Sequence, residues 1–184
     1  MNHSDVSGFF NFHTLYNEAV AAAPDDGILV EVGCWYGRSV IYLAEQVLAS
    51  KKNIRVFAVD TWRGSVELLP VIAGKHPGFV WHSFVNNIRA CGVQSVITPM
   101  CLPSVEAATL FEDGTISMVF IDADHDYASV KADIAAWRPK VKANGILAGH
   151  DYSACWAGVR QAVDEAFSGN VIIDPVSVTW IAKL

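Results

Sequence analysis

Short apolar runs alternate with longer amphipathic segments along most of the chain. The first five runs are largely apolar at consecutive positions, a pattern typical of strands that are covered on both faces. Two further β-branched runs follow near the C-terminus. Together the runs predict seven strands, at Ile28–Val32, Ile54–Val59, Ser95–Met100, Ile116–Ile121, Gly145–Gly149, Val171–Ile173 and Ser177–Ala182.

The segments between these strands carry apolar residues at helical spacing. Over Val159–Phe167 they recur at i, i+3, i+4, i+7 and i+8, and Gly169 follows as a helix stop. Similar stripes predict helices over Tyr127–Trp137 and around Ile41–Leu48. Residues Phe9–Ala23 are predicted to form a further helix ahead of the first strand.

The repeated alternation of strand and helix predicts a doubly wound, Rossmann-like α/β sheet, because right-handed crossovers return each strand to one sheet. Only residues 174–176 separate the last two strands. A connection this short cannot join neighbouring parallel strands, so the final strand is expected to run antiparallel to its neighbour. We expect a single domain over residues 1–184, in which residues 1–26 form an N-terminal helical segment.

The balance of acidic and basic residues disfavours some classes of binding partner. The 184 residues include 13 basic and 19 acidic side chains, which give a formal charge of −6. This sign disfavours nucleic acid and anionic membranes as partners. The N-terminus lacks the features of a signal peptide and no apolar run approaches membrane-spanning length, so we expect a cytoplasmic protein. The four scattered cysteines are expected to be reduced.

Polar residues follow four of the predicted strands, at the point where each strand ends. They lie in the segments Glu31–Ser39, Asp60–Trp62, Asp122–Tyr127 and His150–Tyr152. In an open α/β sheet, ligands bind at this edge, so the four segments are expected to converge on one site. Each segment also has a purely structural interpretation, as packing glycines, a helix cap or a solvated loop. Their common position favours a binding site.

The glycine spacing distinguishes between nucleotide ligands. A nicotinamide dinucleotide site needs the spacing G-x-G-x-x-G, which seats a pyrophosphate on a helix N-terminus. Here Gly33 and Gly37 have the spacing G-x-x-x-G, and Glu31 precedes them. A carboxylate in this turn repels a pyrophosphate and suits a ligand with an ammonium and a sulfonium group. The pattern favours S-adenosylmethionine and disfavours a nicotinamide oxidoreductase.

Four segments of the chain resemble class I S-adenosylmethionine-dependent methyltransferases. Leu29–Ser39 is similar to their first motif, and Val59–Trp62 is similar to the segment that carries their ribose-binding acid. Phe120–Tyr127 and Gly145–Tyr152 resemble the branch that contains catechol and macrolide-sugar O-methyltransferases. The likeness extends from about residue 27 to the C-terminus, and the four motifs in order are far more specific than the first alone.

The resemblance implies a role for each residue at this edge. The first motif would hold the methionine part of the cofactor, the acid after the second strand its ribose, and neighbouring side chains its adenine. In that order the implied cofactor-binding residues are Glu31, Gly33, Trp35, Gly37 and Ser39, then Asp60, then Trp62 and Ser104, with Asp122 near the amino group of the cofactor.

Methyl transfer from a sulfonium to a hydroxyl needs a group that removes or weakens the hydroxyl proton. His125 is the candidate base, at the position from which the resembling O-methyltransferases supply theirs, and Asp122 is the second candidate catalytic residue. By the same resemblance, Asp122, His150 and Asp151 would bind a divalent cation. His150 stands where a carboxylate is usual, which would shift the preference from magnesium towards manganese, iron or zinc. The alternative is that Asp122 only orients the amino group of the cofactor while His150 forms hydrogen bonds within its loop.

The acceptor is the least specified part of the function. A small hydroxylated molecule is expected, with the long connection over residues 63–84 as a lid, since long connections without regular structure are usually functional. Trp156 and Tyr152 are candidates for the walls of its pocket, and a second subunit of a homo-oligomer is a candidate to close it. The alternative function is a non-catalytic cofactor-binding or interaction module on the same fold.

Overall fold

The computed structural model describes residues 1–182, apart from the side chain of Glu67. The described residues form one sheet of seven strands, as the sequence predicts. The strands are β1 (Ile28–Val32), β2 (Arg55–Asp60), β3 (Ile97–Cys101), β4 (Ile116–Ile121), β5 (Val141–Gly149), β6 (Val171–Asp174) and β7 (Thr179–Ala182).

The order of the strands across the sheet is β3-β2-β1-β4-β5-β7-β6. Strands β1 to β5 pair in parallel, and β7 runs antiparallel to both β5 and β6. The predicted doubly wound sheet with an antiparallel final strand is therefore confirmed. The chain winds outward from β1 to β3 on one side and from β4 to β5 on the other. The winding direction switches between β1 and β4, and such a switch point is where open α/β sheets bind ligands.

Helices cover both faces of the sheet. Helices α1, α2 and α4 pack on one face, and α5, α6 and α7 pack on the other. Strand β1 shows the division, because Leu29 belongs to the first core and Val30 to the second, as alternating strand side chains require. The helices are α1 (His13–Ala22), α2 (Arg38–Ser50), α3 (Leu69–Ile72), α4 (Phe79–Ala90), α5 (Ser104–Ala108), α6 (Tyr127–Trp137) and α7 (Ala157–Phe167).

Two helical segments differ from the prediction. Helix α1 begins at His13, and the residues around Phe9, predicted to be helical, form an irregular segment instead. The connection over residues 63–84 was expected to lack regular structure, which is wrong from Phe79 onward. There α4 begins, and it buries Val80 and Phe84 in the core. The part of the connection that remains outside α4 contains only a 3-10 turn and the single turn α3.

Neither disulfides nor membrane spans contribute to the described part of the chain. All four cysteines are free thiols, and only Cys34 is buried. Within residues 1–182 no helix combines the length and the apolar character needed to cross a membrane. The fold over these residues is therefore stabilised by the two apolar cores on either side of the sheet.

Candidate active site

The turn between β1 and α2 depends on a glycine with a positive φ angle. Gly33 has a φ of +87°, and its N–H donates a hydrogen bond of 2.8 Å to the carbonyl oxygen of Val59. A β-carbon at this position would lie 1.9 Å from the carbonyl oxygen of Asp122. Only glycine lets the turn approach the end of β4 this closely. The turn is therefore held directly beside the acid that follows β4.

Asp60, at the end of β2, organises the same turn. Its Oδ2 accepts hydrogen bonds of 2.8 Å from the backbone N–H groups of Cys34 and Trp35. Its Oδ1 accepts one of 2.6 Å from the N–H of Trp62. Asp60 thus stabilises the turn by accepting hydrogen bonds from its backbone. Because a carboxylate offers about four acceptor positions, it retains capacity for a further donor such as a ribose hydroxyl.

Glu31 lies beneath this turn and is fully buried. The hydroxyl of Ser39 donates a hydrogen bond of 2.7 Å to its Oε1, and the hydroxyl of Tyr16 donates one of 2.6 Å to its Oε2. Burial raises the pKa of the Glu31 carboxyl to about 8, against the opposing effect of these two hydrogen bonds. The negative charge expected in this turn from the sequence is therefore largely neutralised by protonation at pH 7.

Trp62 and Gly37 contact the turn or its flanking residues but do not line the cavity. The Trp62 side chain is buried, its Nε1 donates a hydrogen bond of 3.0 Å to the carbonyl of Trp35, and its ring packs on Phe84. Gly37 precedes α2 with a φ of +93° and also lies against Phe84. Neither residue lines the cavity, so the cofactor contacts predicted for them stay predictions and the structure gives both residues supporting positions. Trp62 has a positive φ of 51°, and its ring lies in the core.

A cavity of about 680 Å³ opens at the carboxyl edge of the sheet, beside the switch point between β1 and β4. Its volume lies within the range of roughly 300–1,000 Å³ that is typical of small-molecule sites. Nine of the predicted site residues contribute to its lining. They are Gly33, Trp35, Ser39, Asp60, Ser104, Asp122, His125, His150 and Asp151.

Two histidines and two carboxylates meet in this cavity. Nε2 of His125 lies 2.9 Å from Oδ2 of Asp151, and Nδ1 of His150 lies 3.1 Å from the same oxygen. Nδ1 of His150 also lies 3.7 Å from Oδ1 of Asp122. The ring of His125 stacks on Trp156, with 4.0 Å between the ring centroids. Asp151 therefore orients both imidazole rings.

The pKa values of the two carboxylates in this cluster are shifted in opposite directions. Burial raises the pKa of Asp122 to about 6. Burial also opposes the ionisation of Asp151, but hydrogen bonds from His125 and His150 outweigh it and hold its pKa well below the usual range. For His150, burial opposes the charged form, yet the hydrogen bond to Asp151 and the charge of Asp122 raise its pKa above the usual value. Asp151 consequently stays ionised to a lower pH than Asp122 does.

Three of these residues could bind a metal ion together. Asp122, His125 and Asp151 place one potential ligand atom each within 4.8 Å of the other two. Two carboxylates and an imidazole fit a hard or borderline divalent cation. His150, predicted as the third ligand, is not in this set. Its Nδ1 nevertheless lies 3.1 Å from Asp151 and 3.7 Å from Asp122, so its role as a ligand stays a prediction. Its Nε2 lies 3.2 Å from Oδ1 of Asn11. His125 is the imidazole of the candidate cation site.

Comparison with known proteins identifies the family. A family model described as a methyltransferase domain matches residues 30–152, from within β1 to just beyond β5. The chain belongs to this family of S-adenosylmethionine-dependent methyltransferases. The matched span contains the turn around Gly33, the strand-end Asp60 and the paired His125 and Asp151.

Solved structures share the methyltransferase fold at low sequence identity. The O-methyltransferase NovP has a TM-score of 0.71 at 17% identity, over 93% of this chain and 78% of NovP. CalS11, a TDP-rhamnose 3'-O-methyltransferase in calicheamicin biosynthesis, has 0.65 at 16% identity, over 93% and 76% of the two chains. A candidate rRNA-methylase from Clostridium thermocellum has 0.66 at 11% identity, over 95% and 94%. Identities this low show a shared fold and leave the substrate open.

A protein relative shows a higher identity over a shorter region. The uncharacterized protein y4gI of Sinorhizobium fredii (strain NBRC 101917 / NGR234) is 30% identical over 125 residues, which is 67% of this chain. The methyltransferase chain covers only 13% of the length of that protein. The likeness is therefore confined to one part of a much longer sequence.

Three features of the methyltransferase site were not predicted from the sequence. Tyr16 binds Glu31 from helix α1, and no spacing rule links the two positions. Ser7–Phe9 line the cavity, where Nη1 of Arg38 donates a hydrogen bond of 2.8 Å to the carbonyl of Gly8. Asp133 lines the cavity from α6. An acid on the buried stripe of a helix is unusual, so the apolar pattern of α6 carried a signal that could have identified Asp133.

Proposed function

We propose that this methyltransferase transfers the methyl group of S-adenosylmethionine to a hydroxyl oxygen of a small molecule, with His125 as the general base. The observation that carries the proposal is the 2.9 Å contact between Nε2 of His125 and Oδ2 of Asp151 in the wall of the cavity. An ionised carboxylate at this distance orients the imidazole and stabilises the charge that the ring gains on accepting a proton.

The burial of the ring also indicates which nitrogen accepts the proton. Nδ1 of His125 is buried, so the nitrogen that would take the hydroxyl proton is Nε2, at the edge of the ring that contacts Asp151. The acceptor oxygen attacks the methyl carbon, so the C–O bond forms as the C–S bond breaks. The products are a methyl ether, S-adenosylhomocysteine and a proton that His125 returns to water. Holding the reacting atoms in line can contribute roughly 7–11 kcal/mol to lowering the barrier.

The proposed position of the cofactor follows the order of its predicted contacts along the cavity. Gly33, Trp35 and Ser39 would hold the methionine part, Asp60 the ribose and Ser104 the adenine. All five residues line one continuous cavity, which supports this placement. The free acceptor position on Asp60 supports it further.

Several observations support a small hydroxylated acceptor. Phe9 and Trp156 supply aromatic surface to the cavity, and Leu68 contributes from the proposed lid over residues 63–84. The acidic side chains of the cavity and the formal charge of −6 disfavour an RNA acceptor. NovP and CalS11 are described as O-methyltransferases, and CalS11 acts on a sugar. Both O-methyltransferase activities agree with oxygen as the methylated atom.

Cation-assisted transfer is a second candidate, favoured by the grouping of Asp122, His125 and Asp151 within 4.8 Å. A bound divalent cation would supply Lewis-acid chemistry that lowers the pKa of the acceptor hydroxyl. In this version His125 would bind the cation instead of taking the proton. Asp151 would then act as a ligand and no longer only orient His125.

The proposal is tested by product analysis with S-adenosylmethionine labelled in its methyl group. The acceptor panel should contain sugar nucleotides and catechols, with amines and RNA fragments as competing classes. We expect methyl ether products, and we expect His125→Gln to lower kcat by roughly 10²–10⁴-fold while S-adenosylhomocysteine still binds.

A matched control is available in His82→Gln. His82 is an exposed histidine on α4 that does not line the cavity, so this variant should retain turnover. Label found only in amines or RNA would refute the hydroxyl acceptor. Unchanged turnover in His125→Gln would exclude His125 as the base.

A further inference from the structure

Arg38 is the only arginine or lysine among the described residues that line the cavity. It stands in the first turn of α2, and its side chain is partly buried. Five described acids line the same cavity, namely Asp60, Asp122, Asp124, Asp133 and Asp151. None of the described carboxylates forms an ion pair with Arg38. A permanent cation therefore lies in the wall of the cavity without an anionic partner from the described part of the chain.

Most of the hydrogen-bonding capacity of Arg38 is unused. A guanidinium carries N–H donors on each of its nitrogens. Within the described residues the group forms a single hydrogen bond, of 2.8 Å from Nη1 to the carbonyl oxygen of Gly8. Its Nε is enclosed by the protein and has no acceptor among the same residues. A partly buried guanidinium in this state is costly, and an anion bound in the cavity would offset that cost.

The contact with Gly8 places the guanidinium beside the N-terminal segment Ser7–Phe9, which also lines the cavity. The ring of Phe9 is 74% exposed, and its centroid lies 5.9 Å from that of the His150 ring. His150 belongs to the cluster around the proposed base. A continuous stretch of cavity wall therefore connects Arg38 to the place at which the acceptor would react.

The charge of the cofactor does not require this arginine. S-adenosylmethionine carries a sulfonium, an ammonium and a carboxylate, so its net charge is positive and is complemented by the acids of the cavity. Ser39, a predicted contact of the methionine part, donates its hydroxyl to Glu31, whereas Arg38 donates to Gly8. Adjacent residues of a helix face different directions, and these two side chains diverge accordingly. The unpaired positive charge is therefore available to the second ligand of the reaction.

We propose that Arg38 binds an anionic group of the acceptor, so that the substrates of this methyltransferase are hydroxyl compounds that also carry a phosphate or a carboxylate. The inference rests on the proposed function, in which the acceptor reacts beside His125. Phosphate and carboxylate share the chemistry that Arg38 recognises, because the planar guanidinium donates parallel hydrogen bonds to either group.

The first test uses inorganic phosphate as the probe. Phosphate is titrated by calorimetry into the full chain saturated with S-adenosylhomocysteine, so that the position of the cofactor's own carboxylate is already occupied. At about pH 8 histidines are mostly neutral and compete little for the anion. We expect the wild type to bind phosphate and Arg38→Gln to lose roughly 10-fold or more of that affinity. Arg38→Lys keeps the charge but not the planar fork, so its affinity should lie between the two.

The matched control is Arg89→Gln, because Arg89 is an exposed arginine on α4 that does not line the cavity. This variant should bind phosphate as the wild type does. A wild type that binds no phosphate, or an Arg38→Gln variant that binds it as tightly as the wild type, overturns the inference while the cofactor site stands.

A second titration distinguishes the acceptor from the carboxylate of the cofactor. S-adenosylhomocysteine and its decarboxylated analogue are compared in the wild type and in Arg38→Gln. We expect the substitution to leave the ratio of the two affinities unchanged. A loss of affinity confined to the ligand with the carboxylate would assign Arg38 to the cofactor and overturn the inference.

Kinetics separate this inference from the proposed function. With sugar nucleotides as acceptors, Arg38→Gln should raise KM by roughly 10-fold or more and leave kcat nearly unchanged, because the guanidinium binds the acceptor away from the reacting atoms. Equal kcat/KM for a sugar nucleotide and for the free sugar would contradict the inference. Label found only in amines, together with phosphate binding that depends on Arg38, would refute the hydroxyl acceptor and support the anionic group.

Discussion

The hydroxyl of Tyr16 donates a hydrogen bond of 2.6 Å to Oε2 of Glu31, which joins helix α1 to the strand that leads into the cofactor turn. Both side chains are fully buried. Ser39, in the first turn of α2, donates to the other oxygen of the same carboxyl. Three elements thus meet at one titratable group, so the stability of the fold and the protonation of Glu31 are linked.

Glu31→Gln should reduce the pH dependence of stability. Burial raises the pKa of Glu31 from 4.5 to about 8, so the folded protein holds this proton more tightly than the unfolded chain does. The resulting stabilisation is complete below the unfolded pKa and is lost as the pH rises through the folded one, by up to about 1.4 kcal/mol per pH unit. Thermal unfolding of the wild type should therefore shift to lower temperature between about pH 5 and pH 8, and the variant should shift less.

The control for this experiment is Glu18→Gln, an exposed position on α1 that should keep the wild-type slope. Equal slopes in the wild type and in Glu31→Gln would contradict a raised pKa for Glu31.

Gly33→Ala should destabilise the protein far more than a glycine substitution that only strains the backbone. The new β-carbon would lie 1.9 Å from the carbonyl oxygen of Asp122, so the turn and the end of β4 must separate. At Gly92, φ is +72° and a β-carbon would contact nothing within 4 Å. We expect denaturant unfolding to show a loss of about 1–2 kcal/mol for Gly92→Ala and roughly 4 kcal/mol or more for Gly33→Ala. Similar losses would mean that the close approach is not required.

Asp60→Asn should weaken both the turn and cofactor binding. One carboxylate oxygen becomes an NH₂ group, which cannot accept the backbone hydrogen bonds from Cys34, Trp35 or Trp62 that Asp60 receives. Calorimetry should show roughly a 10- to 100-fold loss of affinity for S-adenosylhomocysteine. Asp113 forms an ion pair with Lys140 and does not line the cavity, so Asp113→Asn should bind as the wild type does. An unchanged affinity in Asp60→Asn would remove Asp60 from the ribose site.

Asp151→Asn should lower kcat by roughly 10²-fold or more, because the substitution removes the charge that orients His125. A chelator then separates the two versions of the mechanism. Turnover of the wild type that persists in chelator assigns Asp151 to the orientation of His125. Turnover that is lost in chelator and restored by manganese or magnesium assigns Asp122, His125 and Asp151 to a cation site.

Local patterns were sufficient to predict the strands and the edge at which the site forms. Burial on both faces makes β1 and β4 continuous apolar runs, and residues 174–176 are too few for a parallel crossover. Because parallel strands end at one edge, Asp60 and Asp122 could be predicted to lie near each other. Both line the same cavity.

Side-chain direction was predicted less well, since it depends on groups far apart in the chain. His150 lies in the predicted cluster, where its Nδ1 contacts Asp151, but its Nε2 contacts Asn11, 139 residues away. His125, which was not predicted as a ligand, belongs to the candidate cation set. Trp62 follows Asp60 as expected, yet its ring packs into the core on Phe84. Neither contact can be predicted from the spacing of nearby residues in the sequence.

The sequence by itself determined the order of elements, the direction of each strand and the edge that carries the polar residues. These properties follow from short-range periodicity and from the length of each connection. Only the tertiary structure decided how the imidazoles of His125 and His150 lie around Asp151, and that the Glu31 carboxyl holds its proton near pH 7. Both outcomes depend on desolvation and on hydrogen bonds between distant segments, and these exist only once the chain has folded.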